Sequence, residues 1–122
     1  MRLVTFNKNG SDAIGALEPK TDTITDFSKA APELPTTMLG LIELGQSGLN
    51  QAETAIKTAG NHALLDLSEV TLKAPIPQPR RDIMAVGRNY HEHAQEFHDS
   101  GFDATSGTTA VPEDPIIFTK AT

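Results

Sequence analysis

The chain has 122 residues, 38% hydrophobic and 5% aromatic, with no Trp, which suffices for one ordinary domain or a small domain plus part of another. A formal net charge of −6 disfavours nucleic acid and anionic membrane surfaces as partners, because both are polyanions that bind basic faces. There is no cysteine, which excludes a disulfide framework and a thiolate metal site.

No apolar run approaches the roughly 20 residues of a membrane span. The opening residues 1–6 lack the apolar stretch of a signal peptide. The expectation is a soluble cytoplasmic protein. Leu3 and Thr5 alternate with Val4 and Phe6 across an expected first strand. Asn9-Gly10 suits a tight hairpin turn, since both residues tolerate φ > 0. Residues 13–17 form the expected return strand, 19–22 a second turn and 23–27 a third strand, completing a small antiparallel meander.

Pro32 and Pro35 then break the pattern. Thr36 or Thr37 is placed to cap a helix carrying Met38, Leu39, Leu41, Ile42 and Leu44, which stops near Gly45. Ser47-Gly48 reads as a loop. Asn50 then caps a second helix over 51–58, with Ala52, Ala55, Ile56 and Ala59 inward and Gly60-Asn61 as its stop. Leu65 and Leu67, then Val70 and Leu72, read as short strands. Two helices on a small antiparallel sheet give an α+β domain over residues 1–73.

Residues 74–81 hold Pro75, Pro77, Pro79 and the pair Arg80-Arg81, which predicts a stiff linker. A second unit spans 82–122. It opens with the apolar run Ile83-Met84-Ala85-Val86, a short buried strand ending at Gly87. His91, His93, His98, Glu92 and Glu96 follow, so three of the four histidines fall within residues 82–98. Residues 99–114 are rich in Gly, Ser, Thr and Asp and read as a lid or loop. Pro115-Ile116-Ile117-Phe118 predicts a strand buried on both faces. Such a strand four residues before the last residue leads to the expectation of an N-terminal piece of a longer protein, or of a partner that covers it.

On a helix over residues 89–98, His93 and Glu96 share a face at i, i+3. The carboxylate then fixes the imidazole tautomer and raises the basicity of the other ring nitrogen. Such a histidine is suited to act as a general base. The spacing equally fits an ordinary surface helix with solvated histidines. On a strand, His91 and His93 point the same way and suit a zinc chelate. On a helix they diverge by roughly 200°. His62 and His98 read as surface residues. Lys120, after the last apolar strand, is placed either to bind an anionic substrate group or to solvate the strand end. No phosphate-binding loop, dinucleotide fingerprint or serine elbow is present.

The ordered set Ile83-Met84-Ala85-Val86-Gly87-Arg88-Asn89-Tyr90-His91-Glu92-His93-Ala94-Gln95-Glu96, then Pro115-Ile116-Ile117-Phe118-Thr119-Lys120, resembles the fumarylacetoacetate hydrolase family. That family's pattern is an apolar strand, G-x-N-Y, H-A-x-E and a P-x-x-F-x-K strand. The opening residues are more loosely similar to its N-terminal domain. The resemblance implies the first elements of a mixed β-roll catalytic domain, often dimeric. It implies a metal-dependent enzyme on acylpyruvate-type 1,3-dicarbonyl or 2-keto acid substrates, catalysing C–C hydrolysis, decarboxylation or isomerisation. Mg²⁺, Mn²⁺ or Ca²⁺ would chelate the substrate. His93 would be the general base, Glu96 its orienting carboxylate and Lys120 the anchor for the anionic end. Arg88 and Asn89 would line the pocket. The family's metal-binding Glu-x-Glu and later Asp find no counterpart in this sequence. The expectation is therefore no metal and no activity in these 122 residues alone. The competing class is a non-catalytic α+β binding or assembly module.

Overall fold

The computed structural model describes residues 1–87, 95–96, 99–100 and 116–120. They fall into two compact units, Met1–Pro77 and Gln78–Thr122.

The first unit is built on a five-stranded antiparallel sheet of order β4-β3-β2-β1-β5. Its strands are β1 (Arg2–Lys8), β2 (Ser11–Glu18), β3 (Thr23–Asp26), β4 (Leu64–Asp66) and β5 (Thr71–Leu72). The β1–β2 hairpin turns as expected on Asn9-Gly10, at φ 53° and 85°, the left-handed pair whose twist matches the flanking strands. Gly15 is required by close approach: a Cβ there would lie 2.3 Å from the Thr25 carbonyl oxygen and 3.2 Å from the Phe6 ring.

Alternation along the strands gives the sheet two apolar faces. On one, Ile14 and Ala16 pack with Phe27, Leu34, Met38, Leu41, Ala52 and Ala55 from the helical layer. On the other, Phe6, Ile24 and Leu65 form a second cluster flanked by Val4, Leu17, Leu67 and Val70. The α+β class is as expected, but the helical layer has three helices: α1 (Phe27–Ala30), α2 (Met38–Glu43) and α3 (Gly45–Thr58).

Four local expectations are corrected. Phe27 does not end β3 but opens α1, because Asp26 accepts from the Ser28 amide at 3.0 Å and caps the turn. Ser47-Gly48 is not a loop: α3 begins at Gly45, whose φ of 56° makes the break with α2. Gly48 is small for packing, since a Cβ would sit 2.8 Å from the Leu41 carbonyl oxygen. Asn50 is therefore inside the helix, its Oδ1 accepting from Gln46 Nε2 at 3.0 Å. Leu67 lies not in a strand but in a 3₁₀ turn, Leu67–Glu69, capped by Asp66. The Thr37 cap on α2 is as expected, its hydroxyl accepting from the Gly40 amide.

The first unit runs past the expected boundary at Lys73. The Lys73 amide donates to the Thr5 carbonyl at 2.9 Å, and the Thr5 hydroxyl donates to the Pro75 carbonyl at 2.7 Å. Ile76 packs against the helical-side core. The first prolines thus fasten the chain to β1.

In the second unit, β6 (Ile83–Gly87) pairs antiparallel with β7 (Ile116–Lys120) as a two-stranded ribbon. β6 lies where the sequence placed it, and β7 runs two residues beyond the expected strand, through Lys120. The expected burial is contradicted: Met84 is 70% exposed, Ile117 59% and Phe118 48%. A two-stranded ribbon leaves both faces uncovered unless another layer packs on them. Of the expected 99–114 loop, all but Asp99 and Ser100 lie outside the described residues.

Candidate functional site

Of the expected site residues, the described ribbon carries Lys120. Its register places Ile83 opposite Lys120, Ala85 opposite Phe118 and Gly87 opposite Ile116. Side chains alternate across a strand, so these six share one face. Met84, Val86, Ile117 and Thr119 share the other. Lys120 therefore projects from the same face as Phe118, Ala85 and Gly87. That face brings one cation beside an apolar strip narrowed by the two small residues of β6. A Cβ on Gly87 would touch the Phe118 ring at 3.5 Å and Ile116 at 3.7 Å, so these side chains close over the glycine.

The antiparallel register also sets a distance. β6 delivers the histidine-bearing segment at its Gly87 end, while Lys120 lies opposite Ile83 at the other end. Four strand steps at about 3.3 Å separate these ends by roughly 13 Å.

Gln95, Glu96 and Asp99 are helical. The Ser100 amide donates to the Glu96 carbonyl at 3.0 Å, an i to i−4 bond, and Gln95 Nε2 donates to Asp99 Oδ1 at 2.9 Å. Glu96 is exposed. His93, Arg88 and Asn89 lie outside the described residues, as do His91, Glu92 and His98. Neither the His93–Glu96 pair nor the alternative His91–His93 chelate is thus within the described geometry. Among the described residues no group of three or more His, Asp or Glu side chains is placed to hold a metal ion. They do not supply the several oxygen ligands that Mg²⁺, Mn²⁺ or Ca²⁺ requires.

Sequence reasoning did not find the concave surfaces of the first unit. An open groove of about 510 Å³ is lined by Glu33, Gln46, Ser47, Gln51 and Thr54 among others. Its amides are engaged along α3, Gln46 with Asn50 and Gln51 with Ser47. A smaller recess of about 130 Å³ lies between β2 and the Pro32–Thr36 segment, lined by Asp12, Ile14, Ser28 and Pro35. Among the described residues two carboxylates have clearly shifted acidity, and both are held by local hydrogen bonds. Hydrogen bonds from Asn7 and then Lys73 hold Asp12 below the ordinary 3.8, and bonds from the Ser68 hydroxyl and amide lower Asp66.

No model of a known protein family matches the chain. Curated relatives do. The chain is 34% identical over 122 residues to the mitochondrial oxaloacetate tautomerase fahd2 of Xenopus laevis, covering 98% of this chain and 34% of that protein. It is 43% identical over 58 residues to the oxaloacetate tautomerase YisK of Bacillus subtilis, covering 48% of this chain and 17% of that protein. It is 34% identical over 89 residues to a fumarylacetoacetate hydrolase domain-containing protein 2 of Pongo abelii, covering 73% of this chain and 24% of that protein. The chain thus spans about a third of the length of the Xenopus relative.

Proposed function

This chain belongs to the fumarylacetoacetate hydrolase family, and from that premise we propose that it carries the proton-transfer residues of an enzyme acting on a small 2-keto acid. The reaction that best fits is keto–enol tautomerisation of oxaloacetate. The observation that carries this reading is the 34% identity to an oxaloacetate tautomerase across 98% of the chain. It favours isomerisation over the C–C bond hydrolysis and the decarboxylation that the family resemblance also implies.

The chemistry needs a base, an acid and a positive charge. A base removes a proton from C3 of oxaloacetate, the C3–H electron pair becomes the C2–C3 double bond, and the carbonyl electrons move to the C2 oxygen. That oxygen then takes a proton, so the number of protons is unchanged. In the proposal His93 accepts the C3 proton and returns it to the enolate oxygen. Glu96, three residues on, receives the other imidazole N–H and holds the ring in one tautomer. The Lys120 ammonium binds a substrate carboxylate, with Arg88 and Asn89 lining the same pocket. A divalent cation would stabilise the enolate charge. The described residues do not form its donor set, and no step above is routed through it. On this reading the 122 residues alone are inactive.

The test is a chimaera in which this chain replaces the matched segment of the Xenopus relative. Decay of the enol's ultraviolet absorbance reports the rate. The chimaera should tautomerise oxaloacetate, and His93→Ala should slow it on the order of 10²–10⁴-fold, the usual share of a positioned acid–base group. An active chimaera indifferent to His93→Ala contradicts the assignment. If the chimaera cleaves an acylpyruvate and leaves the oxaloacetate enol at its uncatalysed rate, hydrolysis replaces tautomerisation.

A further inference from the structure

The β1–β2 turn holds a reactive dipeptide that the proposed reaction does not use. Of the five asparagines in the sequence, only Asn9 precedes a glycine. The backbone nitrogen of the following residue can attack an asparagine side chain at Cγ, and a side chain on that residue obstructs the approach. Gly10 offers no obstruction: it is exposed, and nothing stands within 4 Å of where its Cβ would be. Asn9 is exposed as well, and among the described residues no hydrogen bond engages its side-chain amide. The other described asparagines sit inside regular structure before larger residues. Asn7 lies in β1 before Lys8, Asn50 in α3 before Gln51, and Asn61 in the 3₁₀ turn Asn61–Ala63 before His62.

The fold also holds a brake on this chemistry. The Gly10 amide donates to Asn7 Oδ1 at 3.1 Å. Asn7 Nδ2 in turn donates to Asp12 Oδ1, and Lys73 Nζ donates to Asp12 Oδ2 at 3.2 Å. To react, the Gly10 nitrogen must shed its proton and turn toward Asn9 Cγ. The bond to Asn7 opposes both moves, and Asp12 and Lys73 hold Asn7 in place.

We propose that Asn9-Gly10 is a site of spontaneous deamidation whose rate is set by the side chain of Asn7. The Gly10 nitrogen gives its proton to hydroxide and bonds to Asn9 Cγ. The Cγ–Nδ2 bond breaks, and Nδ2 leaves as ammonia after taking a proton from water. Water then opens the cyclic imide at one of its two carbonyls. Breaking the new N–Cγ bond gives aspartate; breaking the original peptide bond gives isoaspartate. Either product carries one more negative charge than asparagine, and no electrons change hands. Aspartate keeps the turn, since it tolerates positive φ. Isoaspartate adds one carbon to the main chain of a two-residue turn closed by the Lys8–Ser11 pair, and the turn sets the register of the hairpin. The inference is independent of the tautomerase reading, and its readouts involve no substrate.

The test incubates the 122-residue chain in mildly alkaline buffer and follows each asparagine by peptide mass spectrometry. Isoaspartate is labelled with an isoaspartyl-specific methyltransferase. Conversion should be faster at Asn9 than at any other asparagine, and about fivefold faster still in Asn7→Ala, the factor one ordinary hydrogen bond is worth. The double variant Asn7→Asp, Asp12→Asn exchanges acid and amide but keeps an acceptor for the Gly10 amide, so it should return the rate to that of the native chain. The isoaspartyl form should melt about 4 °C or more below the unmodified chain, with Asn9→Asp within about 2 °C of it. Circular dichroism follows every variant. If Asn7→Ala is unfolded, the native chain in urea supplies the unbraked rate, and the double variant must still be about fivefold slower than that. Faster conversion at another asparagine, or an Asn9 rate indifferent to both Asn7→Ala and urea, overturns the proposal. An isoaspartyl form that melts with the native chain overturns its consequence for the hairpin.

Discussion

The two units use similar strand sequences to different ends. In the first, Phe6, Phe27, Ile24 and Leu41 are almost wholly buried, and both faces of the sheet are covered from within the unit. In the second, Phe118 and Ile117 sit on an equally apolar strand and remain about half exposed. The difference is not in the strands but in what surrounds them. The first unit has three helices for one face, and Leu67 of the 3₁₀ turn with Val70 packing on the other. The described part of the second unit has no layer of that kind. An apolar strand therefore specifies that it is to be covered, not that the cover lies in the same unit.

The largest effect that sharpens this contrast comes from a matched pair of truncations. Phe27→Ala should lower the stability of the free chain by about 3–5 kcal/mol, the usual result of emptying a filled core position. Phe118→Ala in the same chain should change it by no more than about 0.5 kcal/mol, as for other surface sites. Chemical denaturation of the two variants measures both. Equal losses would break the comparison. Gly15→Ala should cost about 1–3 kcal/mol, because the new Cβ meets the Thr25 carbonyl at 2.3 Å and backbone must move. Gly10→Ala is the informative partner: open space surrounds it, and only its φ of 85° opposes a side chain, so its loss should be smaller. Asp26→Ala, which removes the cap on α1, should cost about 0.5–2 kcal/mol in the same assay.

The smallest expected effect is on pH dependence. Asp12 accepts from Asn7 and Lys73 and clasps the β1–β2 hairpin to the strand-exit segment. Its folded acidity lies below the ordinary 3.8, so its contribution is present above that value and is lost as pH falls through the lower folded value. Asp12→Asn should flatten the acid limb of the stability–pH curve below 3.8, and added salt should do the same to the native chain. An unchanged acid limb would assign the clasp no role in stability.

The sequence carried most of the first unit because its signals are local. Asn9-Gly10 names its turn, Thr37 caps its helix, and alternation over residues 3–6 and 13–17 sets two strands in register. What it hid depends on which contacts form, near or far in the chain. Gly48 reads as a breaker until Leu41 is seen packed against it, and Phe27 reads as strand until Asp26 turns the chain. Pro75 reads as linker until Thr5, seventy residues away, bonds to its carbonyl. In the candidate site the strands and the helical state around Glu96 were legible. The placement of Lys120 at the far end of the ribbon from Gly87 was not, because register between two strands 28 residues apart has no local signature. The roles of His93, Arg88 and Asn89 rest on the order of motif residues.

Amide hydrogen exchange on the free 122-residue chain, read strand by strand, tests the contrast between the units most directly. The account predicts that β1, β2 and β3 exchange only through global opening of the first unit, while amides of residues 83–87 and 116–120 exchange at least about a hundredfold faster, with an opening free energy near zero. Protection of β6 and β7 equal to that of β1 and β2, in a chain that light scattering shows to be monomeric, would contradict it.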